Sequence, residues 1–504
     1  MNPTYKRLIF MLFISVIPSF VSAQQVNTLY FMDNVPIRHN LNPAFQPSTF
    51  YYFSLPYIGL EQINLGNNSL TLKDVIYNYN GQTVSFLHPE GGNIQQFYNN
   101  LKSTTSVHAD YETSLLSFGF KHKSAYWSFS LNNKKHAMIG IPRDFFLIAL
   151  FGTPEIDNNS FDFTTLQADV TYYTEAALGY AEKLNNKWSV GGKLKFLYGT
   201  ANASVNNKKL SLEAGLAQWT LKGNGSANVS GPFQIDLGDN FQSFTYKAPA
   251  SQSDWLKPSG LGAGFDLGIT FNPIKRLTFS AAITDLGFIR WKKNSQNLNY
   301  KIDYSFDGIG QIDSIRNFNS VSTVFERISV GNALADSLLN AFQTAAEVNK
   351  SYNSYMTGTP TKLNLGAEYS IMENRLSFGL LSRTIIFKKT VTQEITASVN
   401  AKPTDWMNTT LSYSVFGGRF SSVGAGIGLR TGFIHWFAAA DYIPFQKSSL
   451  KLKEINANNP DIKIPIPYNT KSFNLSLGLN LVLDQLIPVN GLQLRKKKQD
   501  CNCN

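Results

Sequence analysis

The stretch Lys362-Leu363-Asn364-Leu365-Gly366-Ala367-Glu368-Tyr369-Ser370-Ile371 decides the fold. Leu363, Leu365, Ala367, Tyr369 and Ile371 take one side of an extended chain, and Lys362, Asn364, Gly366, Glu368 and Ser370 take the other. Successive side chains of a strand point to opposite faces, so this segment has one apolar face and one wet face. The same alternation runs through residues 261–272, 391–402, 423–431 and 473–483. A soluble sandwich uses such strands with the apolar face inward. The start of the chain and the spacing of its turns point the other way.

Residues 1–23 hold a basic start ending at Lys6-Arg7, an apolar run from Leu8 to Val21, and Val21-Ser22-Ala23 before Gln24. This is the layout of a secretory signal peptide cleaved after a small residue. The apolar run is shorter than the roughly 20 residues a spanning helix needs, and no later stretch is apolar enough to be one. A membrane protein of this sequence therefore crosses as a barrel. Without Lys6 and Arg7, 43 basic residues remain against 34 acidic ones, a net charge of +9. The excess lies in Lys-rich loops, which suit anionic lipid headgroups better than nucleic acid, for which no ordered basic readout element is present. The only cysteines, Cys501 and Cys503, sit in the last four residues, so no disulfide framework holds the body.

Six tight turns separate alternating segments, near residues 121–124, 185–187, 272–275, 372–374, 403–405 and 431–432. Between them lie longer connections at 132–165, 204–260, 291–360 and 444–470. Outer-membrane barrels have this asymmetry, with short periplasmic turns and long outer loops. Twelve strands flank the turns. A first strand near residues 49–65, bent at Pro56, and a last near 471–483 bring the prediction to about fourteen antiparallel strands. Residues 48–484 are then the barrel, 24–47 an N-terminal lumenal hatch or plug, and 485–504 a basic periplasmic tail. Residues 320–350 carry helical spacing, with Phe325, Ile328, Leu334, Leu338, Leu339 and Phe342 as a stripe, and residues 142–151 form a second short helix candidate.

Trp188, Val190, Leu194, Phe196 and Tyr198 face lipid on one strand, and Phe473, Leu475, Leu477, Leu479, Leu481 and Leu483 on another. The lumen face carries Lys193, Lys195, Asp266, Glu368, Arg375, Arg383, Glu394 and Arg430. Mixed signs imply paired contents rather than a one-sign ion filter. A tight turn at Lys388-Lys389 sets Arg383 opposite Glu394.

Several phrases, in order along the mature chain, carry a resemblance: Asn42-Pro43-Ala44-Phe45, residues 173–180 (YTEAALGY), 191–197 (GGKLKFL), 265–268 (FDLG) and 285–291 (DLGFIRW). Together they resemble an uncharacterised family of Bacteroidetes outer-membrane barrels known only as a domain of unknown function. More distantly, the Asn-Pro-Ala phrase and the strand count are similar to the long-chain fatty-acid transporter superfamily, which includes barrels of the type IX secretion apparatus. That resemblance implies an N-terminal hatch near Asn42, Pro43, Ala44 and Phe45, although Phe45 stands where the transporter motif has Gly. Read from the residues alone, the same four form a plain turn into the first strand.

Two function classes follow. A transport or binding barrel would take a small or lipophilic ligand, with membrane lipid as surroundings. A structural or secretion-accessory barrel would hold periplasmic or surface proteins. A barrel-embedded hydrolase would need a nucleophile, base and orienting group together, and the six histidines, at positions 39, 88, 108, 122, 136 and 435, show no such arrangement. No phosphate loop or zinc signature implies a cofactor or metal.

Overall fold

The computed structural model describes residues 27–484 apart from 81, 152–158, 216–217, 237–244, 308–337, 339, 341–342, 373–374, 417–418, 442–446, 453–461 and 468–471. The leader, the tail with Cys501 and Cys503, and most of the 320–350 segment lie outside the described residues.

Fourteen strands form a closed antiparallel barrel. The first, β1, comes in two pieces, Tyr51–Ser54 and Glu61–Asn67. Next come β2 (Thr104–His122), β3 (Ala125–Pro142), β4 (Gln167–Lys183), β5 (Trp188–Ala214), β6 (Gly260–Ile274) and β7 (Leu277–Trp291). The eighth, β8, is Tyr355–Gly358 with Thr361–Ile371, followed by β9 (Leu376–Phe387) and β10 (Thr390–Thr404). The circuit ends with β11 (Met407–Phe416), β12 (Arg419–Thr431), β13 (Ile434–Ala440) and β14 (Ser472–Leu483). Closure comes from β14 pairing with both pieces of β1, Tyr51 opposite Leu483 and Glu61 opposite Leu477.

The alternation has its expected cause. On β8, Leu363 and Leu365 are 37% and 48% exposed on the outside, while Asn364 between them is 0% exposed in the lumen. The outer wall carries a belt of exposed Leu, Phe, Tyr, Trp and Ile that only lipid can cover. Among the described residues no helix is long and apolar enough to cross a membrane. This is a transmembrane barrel. All six tight turns lie at one end, as does the start of β1. Lys123 and Gly432 take positive φ there, 56° and 62°, as tight hairpin turns require.

Three sequence expectations need correction. Residues 132–142 and 204–214, read as loop, continue β3 and β5 as paired strand. Both faces of these extensions carry polar residues, so alternation fades while the backbone ladder goes on. The first strand is interrupted rather than merely bent, because residues 55–60 leave the ladder and expose Tyr57 and Ile58 on the outer wall. Residues Glu347–Ser351, overlapping the end of the segment read as helical, form a strand.

Beyond the membrane, the end of β5 carries an outer sheet with Gln218–Ser230, Gln296–Asp307 and Glu347–Ser351, and with Asn159–Asp162 on its other edge. Helix α1 (Ile94–Asn100) and helix α2 (Arg143–Phe151) flank it. Ile148 of α2 packs with Leu212, Trp219 and Ile302 of this sheet, while Leu150 packs against Phe97 of α1.

Candidate functional site

The barrel interior has three layers, starting at the tight-turn end with residues 27–45. Leu29, Tyr30, Phe31, Met32, Val35, Ile37 and Leu41 are buried there against Tyr52, Tyr126, Leu381 and Phe437 of the wall. The segment begins deep in the lumen and descends. The Asn27 side chain donates to Glu394 and, at 3.0 Å, to Thr396. The Asn27 and Thr28 backbone N–H groups both donate to Asp441, as does the Thr28 hydroxyl. Lower down, the Tyr30 and Ser280 hydroxyls share a hydrogen bond of 3.0 Å. The His39 ring Nε2 and the Tyr52 hydroxyl are 2.7 Å apart, with Ser117 another 2.8 Å beyond. Lys193 donates to Asn40, and Asn364 donates to the Leu41 carbonyl at 2.9 Å. Gln46 closes the path by donating to the Ser124 and Ala181 carbonyls.

Asn42 to Phe45 is both a turn and part of this filling. The Asn42 side-chain oxygen accepts from the Ala44 N–H at 2.9 Å, and its carbonyl accepts from the Phe45 N–H at 3.0 Å. The Asn42 amide donates to the Ala281 carbonyl of β7 at 3.3 Å. The wall is glycine where this turn leans on it. A Cβ on Gly191 would stand 2.3 Å from the Pro43 carbonyl oxygen, and one on Gly268 would stand 2.0 Å from the Asn42 side chain. Phe45 is half-buried, with the Arg38 guanidinium 3.9 Å above its ring.

Two titratable groups of this segment are displaced from ordinary behaviour. Burial, reinforced by the Lys193 charge, holds the His39 imidazole well below its usual value and therefore neutral. Burial works against an ionised Asp33, but Arg38 and Lys402 outweigh it and keep that carboxyl below the usual range.

The middle layer is a charge network. Lys195 reaches Asp285 at 2.6 Å, Asp266 at 2.8 Å and Glu175 at 3.3 Å. Lys134 reaches Asp285 at 3.0 Å and Glu175 at 3.1 Å, and Lys362 reaches Asp285 at 2.7 Å. Asp285 thus sits among three ammonium groups from three strands. It occupies a bulge where β7 shifts register against β6, with φ 58°, and its N–H donates to Asp266 at 2.6 Å. Bulges re-aim side chains, and this one turns an acid into the lumen centre.

The outer layer is a cavity of about 70 Å³. Its floor includes Glu112, Lys134, Asp285 and Lys362, and its walls include Ser106, Asp110, His136, Met138, Phe387 and Thr392. A larger, more open cleft of about 440 Å³ shares Thr390 and Thr392 with it and runs past Lys389 to Asn68 and Lys102. His136 donates or accepts through Nδ1 with Asp110, its partner across β2 and β3, and Phe387 stands edge-on to its ring.

Of the residues singled out in sequence, Lys193, Lys195 and Asp266 meet in or beside the charge network. Arg383 and Glu394 face each other across β9 and β10 in the expected register, both 1% exposed. Glu368 accepts from Ser377 at 2.6 Å nearer the tight turns. Arg375 is a correction. Arg375 is exposed in the turn before β9, beyond the ladder. Arg430 keeps the lumen face, opposite the buried His435, at the tight-turn rim, where it donates to Asp484 at 2.9 Å. Sequence reading missed Lys134 and His136, which lay in a presumed loop, and Asp441. Glu175 and Asp285 stood inside phrases already quoted for resemblance, while Lys362 was visible only as one polar face position among many.

Residues 43–441 match the model of a family of unknown function, DUF5723. The chain belongs to that family. No curated protein matches it. Among solved structures, it is similar to a FadL homologue of Pseudomonas aeruginosa at 11% identity, covering 92% of this chain and 99% of that one, with a TM-score of 0.37. It is also similar to the CymD monoaromatic hydrocarbon channel at 7% identity, covering 92% and 98%, with a TM-score of 0.40. The Ralstonia pickettii toluene transporter TbuX is 7% identical, with coverage of 92% and 99% and a TM-score of 0.39. The DUF5723 fold stands on its own strand pairing, and its ligand is not given by these likenesses.

Proposed function

We propose that this DUF5723 protein is a plugged conduit of a Gram-negative outer membrane, exported by a leader cleaved after Ala23, that binds and admits a small ligand. The observation that carries this reading is the layering of the lumen. A segment bonded to the wall on all sides fills the tight-turn half, and an open cavity with a cleft at its rim occupies the other. Ligand held in the outer cavity passes only when residues 24–47 shift. No metal or cofactor is needed for that. Planar-bilayer conductance of the purified barrel with and without residues 24–47 tests it: the deletion should raise conductance while heat-modifiable migration shows a folded barrel. Unchanged conductance in a folded deletion would sink the reading.

One observation favours a second reading, that of a scaffold. The outer sheet has its own apolar core and exposes Lys222 paired with Glu213 on its surface, a rigid platform that surface proteins could use. Retention of native partners by a barrel lacking the outer strand Gln218–Ser230 would remove it.

A further inference from the structure

We infer that the outer cavity is a site for a neutral, hydroxyl-rich molecule of mono- or disaccharide size. This rests on the conduit reading and narrows its ligand away from the lipophilic class. The carboxylates of the cavity wall already have partners: Asp285 has three lysines, Glu112 accepts from Asn132 at 3.0 Å, and Asp110 holds His136. Three acids, Asp110, Glu112 and Asp285, stand in the lining against three lysines, Lys134, Lys135 and Lys362, so the wall offers no net charge to select an ion.

What it offers instead is neutral hydrogen bonding. His136 is 8% exposed, and its Nε2, at the ring edge away from Asp110, is buried with no partner among the described residues. The Ser106 hydroxyl, in the same wall, is likewise buried and unpartnered. A buried polar atom without a partner costs about 1–3 kcal/mol, so two lining one cavity mark where a guest supplies the missing bonds. Hydroxyls fit, because each both donates and accepts and so suits either tautomer of an imidazole fixed through Nδ1. Hydrocarbon would leave both atoms unsatisfied. Phe387 and Met138 give the C–H face of a ring an apolar surface to lie on.

The test is calorimetric titration of the full-length mature barrel in lipid nanodiscs with glucose, sucrose, benzoate and toluene. Glucose or sucrose should bind, at least tenfold more weakly to His136→Phe and measurably more weakly to Ser106→Ala, with both variants keeping heat-modifiable migration. If His136→Phe does not fold, Ser106→Ala carries the comparison. Tighter binding of benzoate or toluene, sugar binding indifferent to the variants, or no binding of either sugar would overturn the site. The conduit reading fails separately. A barrel whose conductance ignores loss of residues 24–47, yet binds sucrose through His136, keeps the site and loses the passage.

Discussion

The two halves of the lumen differ in how much room they leave. In the tight-turn half, Asn27 and Thr28 are tied to Asp441 and Asn42 to the Ala281 carbonyl, and the wall gives up side chains to make room. In the outer half, the wall keeps its side chains, a cavity remains, and His136 and Ser106 each leave an atom unbonded. Unpartnered buried atoms occur in both halves, Arg38 Nε and His39 Nδ1 in the first and His136 Nε2 and Ser106 Oγ in the second, and what sets the second apart is the cavity its residues line. Between them the charge network acts as a neutral floor. A buried ion pair gains little net stability, because desolvation offsets its attraction, but it is costly to break.

That floor gives the largest expected effect. Lys195→Met leaves Asp266 and Asp285 short of a buried cation and should cost about 3–5 kcal/mol, read as a lower urea midpoint for barrel unfolding. A loss under about 1 kcal/mol would show that the halves are not divided by a coupled network. Depth along the wall comes next. Leu477→Arg, near the middle of β14 and facing lipid, should cost about 2–4 kcal/mol, whereas Val391→Arg at the outer start of β10 should cost about 0–1 kcal/mol. Equal penalties would mean the apolar belt is not centred as described.

Gly191→Leu attacks the filled half alone. Overpacking typically costs about 1–3 kcal/mol, and here it falls on the Pro43 carbonyl, so the undocked population should rise roughly ten- to a hundredfold and single-channel openings with it. Thr392→Leu in the open half should leave openings unchanged. The smallest effect is acid-dependent. Docked His39 stays neutral beside Lys193, Tyr52 and Ser117, whereas a released His39 binds a proton below about pH 6.5. Docking is therefore strongest above that value and weakens as pH falls, by at most about tenfold per unit. Open probability should climb between pH 7 and pH 5, and His39→Gln should flatten the climb.

The same division governs what the sequence discloses. Where lipid covers one face and a polar interior the other, as along residues 361–371, period-two alternation survives and strand, face and register can be read directly. Arg383 opposite Glu394 came from a turn position and parity alone. Above the membrane, β3 and β5 run on with polar residues on both sides, so Lys134 and His136 lost their strand and with it their place in the cavity. The charge network is hidden for a different reason. Its members come from β3 to β8, and only closure brings them together. Asp285 points inward because of a bulge, which no parity rule anticipates. The Asn42 turn was legible as local geometry, but the glycines that receive it lie on β5 and β6, far along the chain.

The interrupted first strand bears on the order in which the molecule is made. The seam between β1 and β14 has ten register pairs in two separated runs, against eighteen between β2 and β3. Hairpins joined by tight turns need only local search, whereas this seam joins the two ends of the barrel sequence. It therefore zips last, from an open sheet curled into a trough. Residues 27–45 hang directly from the strand that must close, so they lie along the trough while its glycine cradle on β5 and β6 is still accessible from the side. The filling is installed as an insert around which the wall is shut, and a circularly permuted chain that begins at β2 would have to thread it through a finished ring.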